Sequence, residues 1–167
     1  DITWNATTPA SDLVLPGGTL ANLTAIDGTN TTGFDYKLST GSSAGFSVSG
    51  GAVSFSGTSL ATKTTYNLNV IVGDAAGNSF IKAFNIVSGD ATANTLTGGA
   101  NHEIFYGGDG TDNINGGVGN DILFGQSGND TLIGGAGKDR LTGGAGSDIF
   151  RFISASDSSS LSSADAI

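Results

Sequence analysis

The residues best equipped for chemistry in this chain are acids set nine residues apart. Asp112, Asp121, Asp130, Asp139 and Asp148 recur at that interval, and Glu103 stands one step before them. A nine-residue frame opening at Gly98 runs without a gap through six units, 98–106, 107–115, 116–124, 125–133, 134–142 and 143–151. Position one is Gly in all six, position six is an acid in all six, and position eight is large and apolar: Phe105, Ile114, Leu123, Leu132, Leu141 and Phe150. A weaker frame precedes them at Gly89, with Asn94 at position six and Leu96 at position eight. Carboxylates are hard oxygen donors, and a regular file of them calls for a hard cation rather than for acid–base catalysis.

The spacing implies the architecture. Positions one to six are glycine-rich, as a chain needs when it turns tightly and visits positive φ, and their carbonyls are free to face an ion. Positions seven to nine make a short strand whose apolar residue faces inward. Two units form one turn of a flattened parallel coil, so equivalent edges meet every 18 residues, with adjacent turns about 4.8 Å apart. An ion between two stacked loops then sees carbonyls and one carboxylate from each, about six oxygens in all. That suits calcium better than magnesium, which demands tighter octahedral geometry.

This pattern resembles the RTX, or hemolysin-type, calcium-binding repeat across residues 89–151. The resemblance implies a right-handed parallel β-roll that binds Ca2+ through the position-six acid and backbone oxygens near positions one to four. Beside Asp112, Asp121, Asp130, Asp139 and Asp148, the implied ligand positions are Gly107, Gly108, Gly110, Gly116, Gly117, Gly119, Gly125, Gln126, Gly128, Gly134, Gly135, Gly137, Gly143, Gly144 and Gly146. Stacking by 18 places ions between the loops of Asp112 and Asp130, of Asp130 and Asp148, and of Asp121 and Asp139. Two further pairs, Asn94 with Asp112 and Glu103 with Asp121, bring the expected count from three to about five. The departures fall in these early loops: Asn94 offers a carbonyl oxygen without charge, Asn101 replaces a glycine, and Glu103 is longer than Asp. Gln126 replaces a position-two glycine, where a backbone carbonyl suffices.

The rest of the composition narrows the function. Among 167 residues there are 15 acids and 6 bases, a net charge of -9. This balance disfavours nucleic acid and anionic membranes as partners. No apolar run approaches the ~18 residues of a membrane helix. With no Cys there are no disulfides, thiolate metal sites or thiol nucleophiles. With one His, His102, there is no basis for a zinc centre or a Ser-His-Asp triad; it reads as an exposed loop residue. The region is expected not to be catalytic. The chain contains no Met and opens at Asp1, which suggests a piece of something longer.

Glycine use changes near Ser88–Gly89: residues 1–88 hold 11 scattered Gly, residues 89–151 hold 17 at regular intervals. Before the change, apolar residues alternate with polar ones at Phe34, Tyr36 and Leu38, at Phe46 and Val48, at Val53 and Phe55, and from Tyr66 to Val72, with a last run from Phe80 to Ile86. Period two marks half-buried strands. Gly50-Gly51 and Asp74–Asn78 are turns between them, and Asp27 and Asp74 read as turn residues that bond their own backbone, the alternative being a weak ion shared between them at one end of the sandwich. The expectation is an all-β chain: a small antiparallel sandwich over 1–88, a parallel β-roll over 89–151, and the start of a C-terminal cap over 152–167. Leu60-Ala61, Tyr66–Val70 and Asp74–Asn78, with Thr24–Gly28, resemble bacterial cadherin-like repeats, although the acids that bind calcium between cadherin domains are missing.

Lys138, Arg140 and Arg151 are expected on the outer face of the roll, and the sequons at Asn5, Asn22, Asn30 and Asn129 read as chance matches in a bacterial protein. The tail from Phe150 to Ser158 resembles the segment after the roll in serralysin-type secreted proteins, and Asp165-Ala166-Ile167 falls where their cap continues. Together the resemblances imply a secreted bacterial protein that folds on extracellular calcium after type I secretion, with a structural or adhesive role and cell-surface or matrix polysaccharide as a candidate partner. The alternatives are an accessory region of a secreted protease, lipase or polysaccharide-modifying enzyme, and a carbohydrate-binding module.

Overall fold

Alternating and β-branched residues give strands throughout. The computed structural model describes residues 2–4, 19–25, 33–56 and 63–153. The expectations for Asn5, Asp27, Asn30, Leu60–Thr62 and the tail beyond Ile153 lie outside these residues. Fourteen strands occur among them: β1 (Ile2–Trp4), β2 (Thr19–Ala25), β3 (Asp35–Leu38), β4 (Phe46–Ser49), β5 (Ala52–Phe55), β6 (Thr64–Gly73), β7 (Ser79–Ser88), β8 (Thr95–Thr97), β9 (His102–Asp109), β10 (Asn113–Val118), β11 (Ile122–Ser127), β12 (Thr131–Ala136), β13 (Arg140–Ala145) and β14 (Ile149–Phe150). The chain divides into two units, residues 1–60 with 67–83, and residues 61–66 with 84–167.

The first unit is built from antiparallel pairs. β1, β2, β5 and β4 lie side by side in that order, and β3 pairs with β6 from Asp35↔Gly73 to Leu38↔Val70. Val53, Leu68, Val70 and Val72 are buried, on the apolar phase of their strands. Phe46 and Phe55 pack together with ring centroids 4.8 Å apart. Gly50 and Gly51 turn β4 into β5 at φ 55° and 86°. Asp74 closes the turn between β6 and β7 on itself: its Oδ1 accepts from the amides of Ala76 (2.9 Å) and Asn78 (2.8 Å), and its Oδ2 from Asn78 Nδ2 (2.8 Å). Both oxygens are engaged within the turn, as expected of a turn aspartate.

The second unit is a parallel β-solenoid of about four turns over residues 84–150. Its strands fall into two columns with a register of 18. In one, Leu96 pairs with Ile114, Ile114 with Leu132, and Leu132 with Phe150. In the other, Val87 pairs with Phe105, Phe105 with Leu123, and Leu123 with Leu141. The position-eight side chains Phe105, Ile114, Leu123, Leu132 and Leu141 are fully buried in one core, with Val87, Leu96 and Phe150 against it. Phe84 and Ile86 place the first strand of the solenoid inside β7, before the glycine repeats begin.

One expectation is corrected here. The strands are longer than three residues: β10 to β13 run from position seven through position three, so they include positions one and two, a glycine pair in all but β11, which has Gly125-Gln126. Several loop carbonyls are consequently held in the ladder; Gly99 O accepts from Val118 N at 2.8 Å, and the position-six carbonyl of Asp112 accepts from Thr131 N at 2.7 Å. At position seven Ile104 and Ile122 are buried, whereas Asn113, Arg140 and Ile149 are exposed.

Coil-on-coil stacking, more than backbone freedom alone, explains the glycines. A Cβ on Gly128 would sit 1.5 Å from Gly110 O, and its φ is +143°, so both space and conformation exclude a side chain. Gly99, in contrast, has nothing within 4 Å of its Cβ direction. Gly128→Ala is therefore expected to abolish folding of the roll or raise its calcium requirement severely, while Gly99→Ala stays within about 0.5 kcal/mol of the parent. Calcium-dependent thermal melts of the two variants check this.

Candidate metal centre

The position-six acids do not point into solvent. Asp112, Asp121, Asp130 and Asp139 are 1%, 1%, 0% and 4% exposed, and Glu103 is 2% exposed. One oxygen of each stacked Asp is held by the backbone of the coil before it. Asp130 Oδ1 accepts from Asp112 N at 2.8 Å, and Asp148 Oδ1 accepts from Asp130 N at 3.0 Å. In the other column Asp121 Oδ1 accepts from Glu103 N, and Asp139 Oδ1 from Asp121 N, each at 2.8 Å. Each residue thus fixes the carboxylate one coil further along, which fixes the direction of the second oxygen.

That second oxygen is the anomaly. Oδ2 of Asp112, Asp121 and Asp130, and Oε2 of Glu103, are buried and accept no hydrogen bond; Oδ2 of Asp139 is equally buried. A buried carboxylate oxygen without a donor is strongly unfavourable unless a positive charge meets it. The surroundings show what kind of charge fits. A single Cβ on Gly107 would touch both Asp112 Oδ2 (2.4 Å) and Gly125 O of the next coil (2.6 Å). On Gly116 it would touch Gly134 O (2.4 Å) and Asp121 Oδ2 (2.6 Å), and on Gly125 it would touch Asp130 Oδ2 (2.3 Å) and Gly143 O (2.6 Å). Gly107, Gly116 and Gly125 each therefore leave an atom-sized cradle faced by a carboxylate oxygen and a carbonyl oxygen from two different coils. An all-oxygen cradle that includes a carboxylate fits a hard divalent cation of calcium's kind.

The electrostatics agree. Burial pushes the Asp121 carboxyl up to about 8, reinforced by the neighbouring charges of Asp139 and Glu103. Asp112 and Asp130 are raised for the same first reason; the charges of Asp90 and Asp109 add to it at Asp112, and those of Asp112 and Asp148 at Asp130. Glu103 is raised by burial, partly offset by hydrogen bonds. Without a cation, the folded roll holds protons that the unfolded chain would release.

The structure brings the expected site residues together as two edge columns. Asp112, Asp130 and Asp148 stand on one edge; Glu103, Asp121 and Asp139 stand on the other. Position-one carbonyls face the preceding loop, and the carbonyls of positions two and four face the following one, as Gly99 O does toward Gly117 and Gly119 O toward Gly137. Gln126 keeps the backbone of the glycine it replaces, at φ 78°. Glu103 directs its carboxylate into the same kind of cradle as the aspartates, beside Gly98 and Gly116 O, despite its extra methylene. Asp148, in the last described coil, is half-buried. Asn94 is buried, and it turns its amide nitrogen inward rather than the expected carbonyl oxygen. Lys138, Arg140 and Arg151 lie toward solvent on the outer face of the roll.

Some participants were not legible. Asn85, 18 residues before Glu103, heads that column and donates from Nδ2 to Glu103 Oε1 at 3.2 Å. Its only sequence signal is an Asn at position six and Val87 at position eight of a glycine-free frame, 80–88. Position five forms a second ladder: Lys138 N donates to Asn120 Oδ1 (2.9 Å) and Ser147 N to Asn129 Oδ1 (2.8 Å). His102 belongs to it, correcting its reading as an exposed loop residue; it lies half-buried in β9 and its Nδ1 accepts from Asn120 N at 2.7 Å. Among the described residues no three acid or imidazole side chains gather at one point. The cradles beside Gly107, Gly116 and Gly125 are instead each faced by one carboxylate and a backbone carbonyl.

Fold and site together define a parallel β-roll with oxygen-lined turns along both edges. Residues 84–114 and 115–150 match the family model of the RTX calcium-binding nonapeptide repeat, so this stretch is an RTX repeat region, and RTX repeats bind Ca2+. No curated protein and no solved structure matches the chain. No helix among the described residues is long and apolar enough to cross a membrane.

The direction of the carboxyl shifts sets a pH dependence. A folded-state pKa of about 8 at Asp121, above the ordinary carboxylate value of 3.8, stabilises the ion-free roll below about pH 4 and loses that contribution as pH rises through about 8. In chelator, the thermal midpoint of residues 84–150 should therefore rise on acidification from pH 8 to pH 5. In calcium, the same acidification should weaken ion binding, because protons compete for the same oxygens. Melts across this range, paired with calcium titrations, check both signs.

Proposed function

We propose that this chain is a calcium-triggered structural region of a secreted bacterial protein, serving adhesion at a cell surface or matrix. The observation that carries the calcium trigger is the set of buried carboxylate oxygens that accept no hydrogen bond. Calcium would be held at the cradles beside Gly107, Gly116 and Gly125 by Asp112, Asp121 and Asp130 with the carbonyls of Gly125, Gly134 and Gly143. The cradle beside Gly98 would add Glu103 and Gly116 O. The ion supplies charge neutralisation there and no reaction; the region is read as non-catalytic. Metal binding that exists only in the folded state is folding free energy, so the roll orders when calcium is abundant.

RTX repeats are typical of secreted bacterial proteins, and this supports export before folding. A roll that stayed unfolded at low calcium and closed outside the cell would suit passage through a narrow secretion channel. The adhesive role is drawn from the antiparallel sheets of the first unit and their sequence resemblance to cadherin-like repeats; the family match does not extend into residues 1–83.

The trigger is tested by limited proteolysis and far-ultraviolet circular dichroism of the whole chain. Chelation should remove β signal and expose residues 84–150 to protease, and calcium should restore both, whereas magnesium should not. Unchanged resistance in chelator contradicts the trigger. The adhesive role is tested separately, by retention of the calcium-loaded chain on bacterial surface polysaccharide; absence of retention removes that role and leaves the trigger intact.

A further inference from the structure

The first loop of one edge column is chemically unlike those that follow. At Gly107 and Gly125 the nearest side-chain atom to an added methyl would be a carboxylate oxygen; at Gly89 it is the amide nitrogen of Asn94, at 2.9 Å, beside Gly107 O. That nitrogen lies within hydrogen-bonding distance of four oxygens. Asp90 O is at 3.2 Å, Gly107 O at 3.4 Å and Asp112 Oδ1 at 3.0 Å, with Thr92 O closest of all. These are the position-two and position-four carbonyls of its own loop, with the position-one carbonyl and the acid of the next coil. They are the atoms that would surround an ion if position six were Asp.

We propose that the Asn94 amide occupies this position in place of calcium, so that the first loop of the column closes without a metal. An amide NH2 presents two donors to an all-oxygen shell and carries no charge to be neutralised. A carboxylate at the same point meets only other acceptors and requires a cation. The rest of the loop is likewise closed by protein donors. Asp90 Oδ1 accepts from Thr92 N (3.0 Å) and Thr92 Oγ1 (2.7 Å), and Lys63 Nζ lies 3.0 Å from Asp90 Oδ2. The acid of the next coil is served twice, because Asp112 Oδ1 also accepts from Asn94 N at 2.8 Å. The opposite column begins with an asparagine too, but Asn85 satisfies only one oxygen of Glu103 and leaves Oε2 facing its cradle. The two columns therefore differ: one starts on a self-closed loop, the other on an open one. A coil that is complete before calcium arrives gives the ion-dependent coils a template on which to stack.

The inference rests on calcium binding by the later loops, and the test separates the two. Native mass spectrometry of the whole chain counts bound calcium directly for the parent, Asn94→Asp and Asn94→Ala. Asn94→Asp should bind one ion more than the parent, and Asn94→Ala the same number, with a higher calcium midpoint for folding. An unchanged count in Asn94→Asp together with one ion fewer in Asn94→Ala would show that Asn94 is itself a ligand, and would overturn the proposal. Should Asn94→Asp fail to fold, the parent decides the matter by NMR. The Asn94 side-chain NH2 should exchange with solvent at least 100-fold slower than a free amide (about 2.8 kcal/mol of protection by the 1.4 kcal/mol-per-decade relation), and exchange at the free rate overturns the assignment. A parent that binds no calcium at all removes the reading of the later loops, while the exchange rate still decides the role of Asn94.

Discussion

A carboxylate oxygen buried among carbonyls, with no donor in reach, governs the second unit. Asp112, Asp121 and Asp130 each hold one oxygen on the backbone of the preceding coil and present the other to a cradle lined by acceptors. The arrangement is the inverse of an ordinary buried ion pair, in which the protein supplies the counter-charge. Here Lys138, Arg140 and Arg151 are exposed, and the second oxygens of Asp112, Asp121 and Asp130 accept no hydrogen bond from the protein. The fold is left incomplete in electrostatic terms, and its completion depends on the medium. That dependence is what makes such a region responsive to calcium.

The same constraint accounts for the glycines. Coils in β-sheet register bring equivalent loops together closely, so a side chain at position one would fill the cradle itself, and one at position four would strike the neighbouring carbonyl. Space is the primary demand at Gly107, whose backbone does not need positive φ; at Gly128 space and φ act together. Gln126 shows the limit of the rule, since its site tolerates a side chain that accepts the left-handed backbone. The hydrophobic contribution is narrow by comparison: position eight supplies one file between the two columns, and Ile104, Ile122 and Ile133 are the other buried apolar side chains of the repeats. So slender a core leaves the edges to decide whether the solenoid is stable.

Much of this was legible because nonapeptide spacing leaves few choices. The invariant position eight named the buried file from Phe105 to Leu141, and the 18-residue register followed from pairing like edges. The strand pattern from Phe34 to Ile86 located β3 to β7. What escaped was set by neighbours across the coil rather than along the chain. Asn94 read as an eroded acid and Asn85 drew no reading, and only the stacked loops show that an amide nitrogen can take the place of an ion. His102 looked solitary in sequence, yet it meets Asn120 N because the two are 18 residues apart and adjacent in space. The strands proved longer than three residues because the glycine pair continues the ladder before turning.

Anomalous diffraction from a calcium-soaked crystal of this chain would locate the ions outright. Peaks are expected in the cradles beside Gly107, Gly116 and Gly125, each flanked by a carboxylate oxygen and a carbonyl of the next coil, and no peak is expected beside Gly89. Cradles that hold only water or protein donors under saturating calcium, with the carboxylates turned away, would contradict calcium as the missing counter-charge.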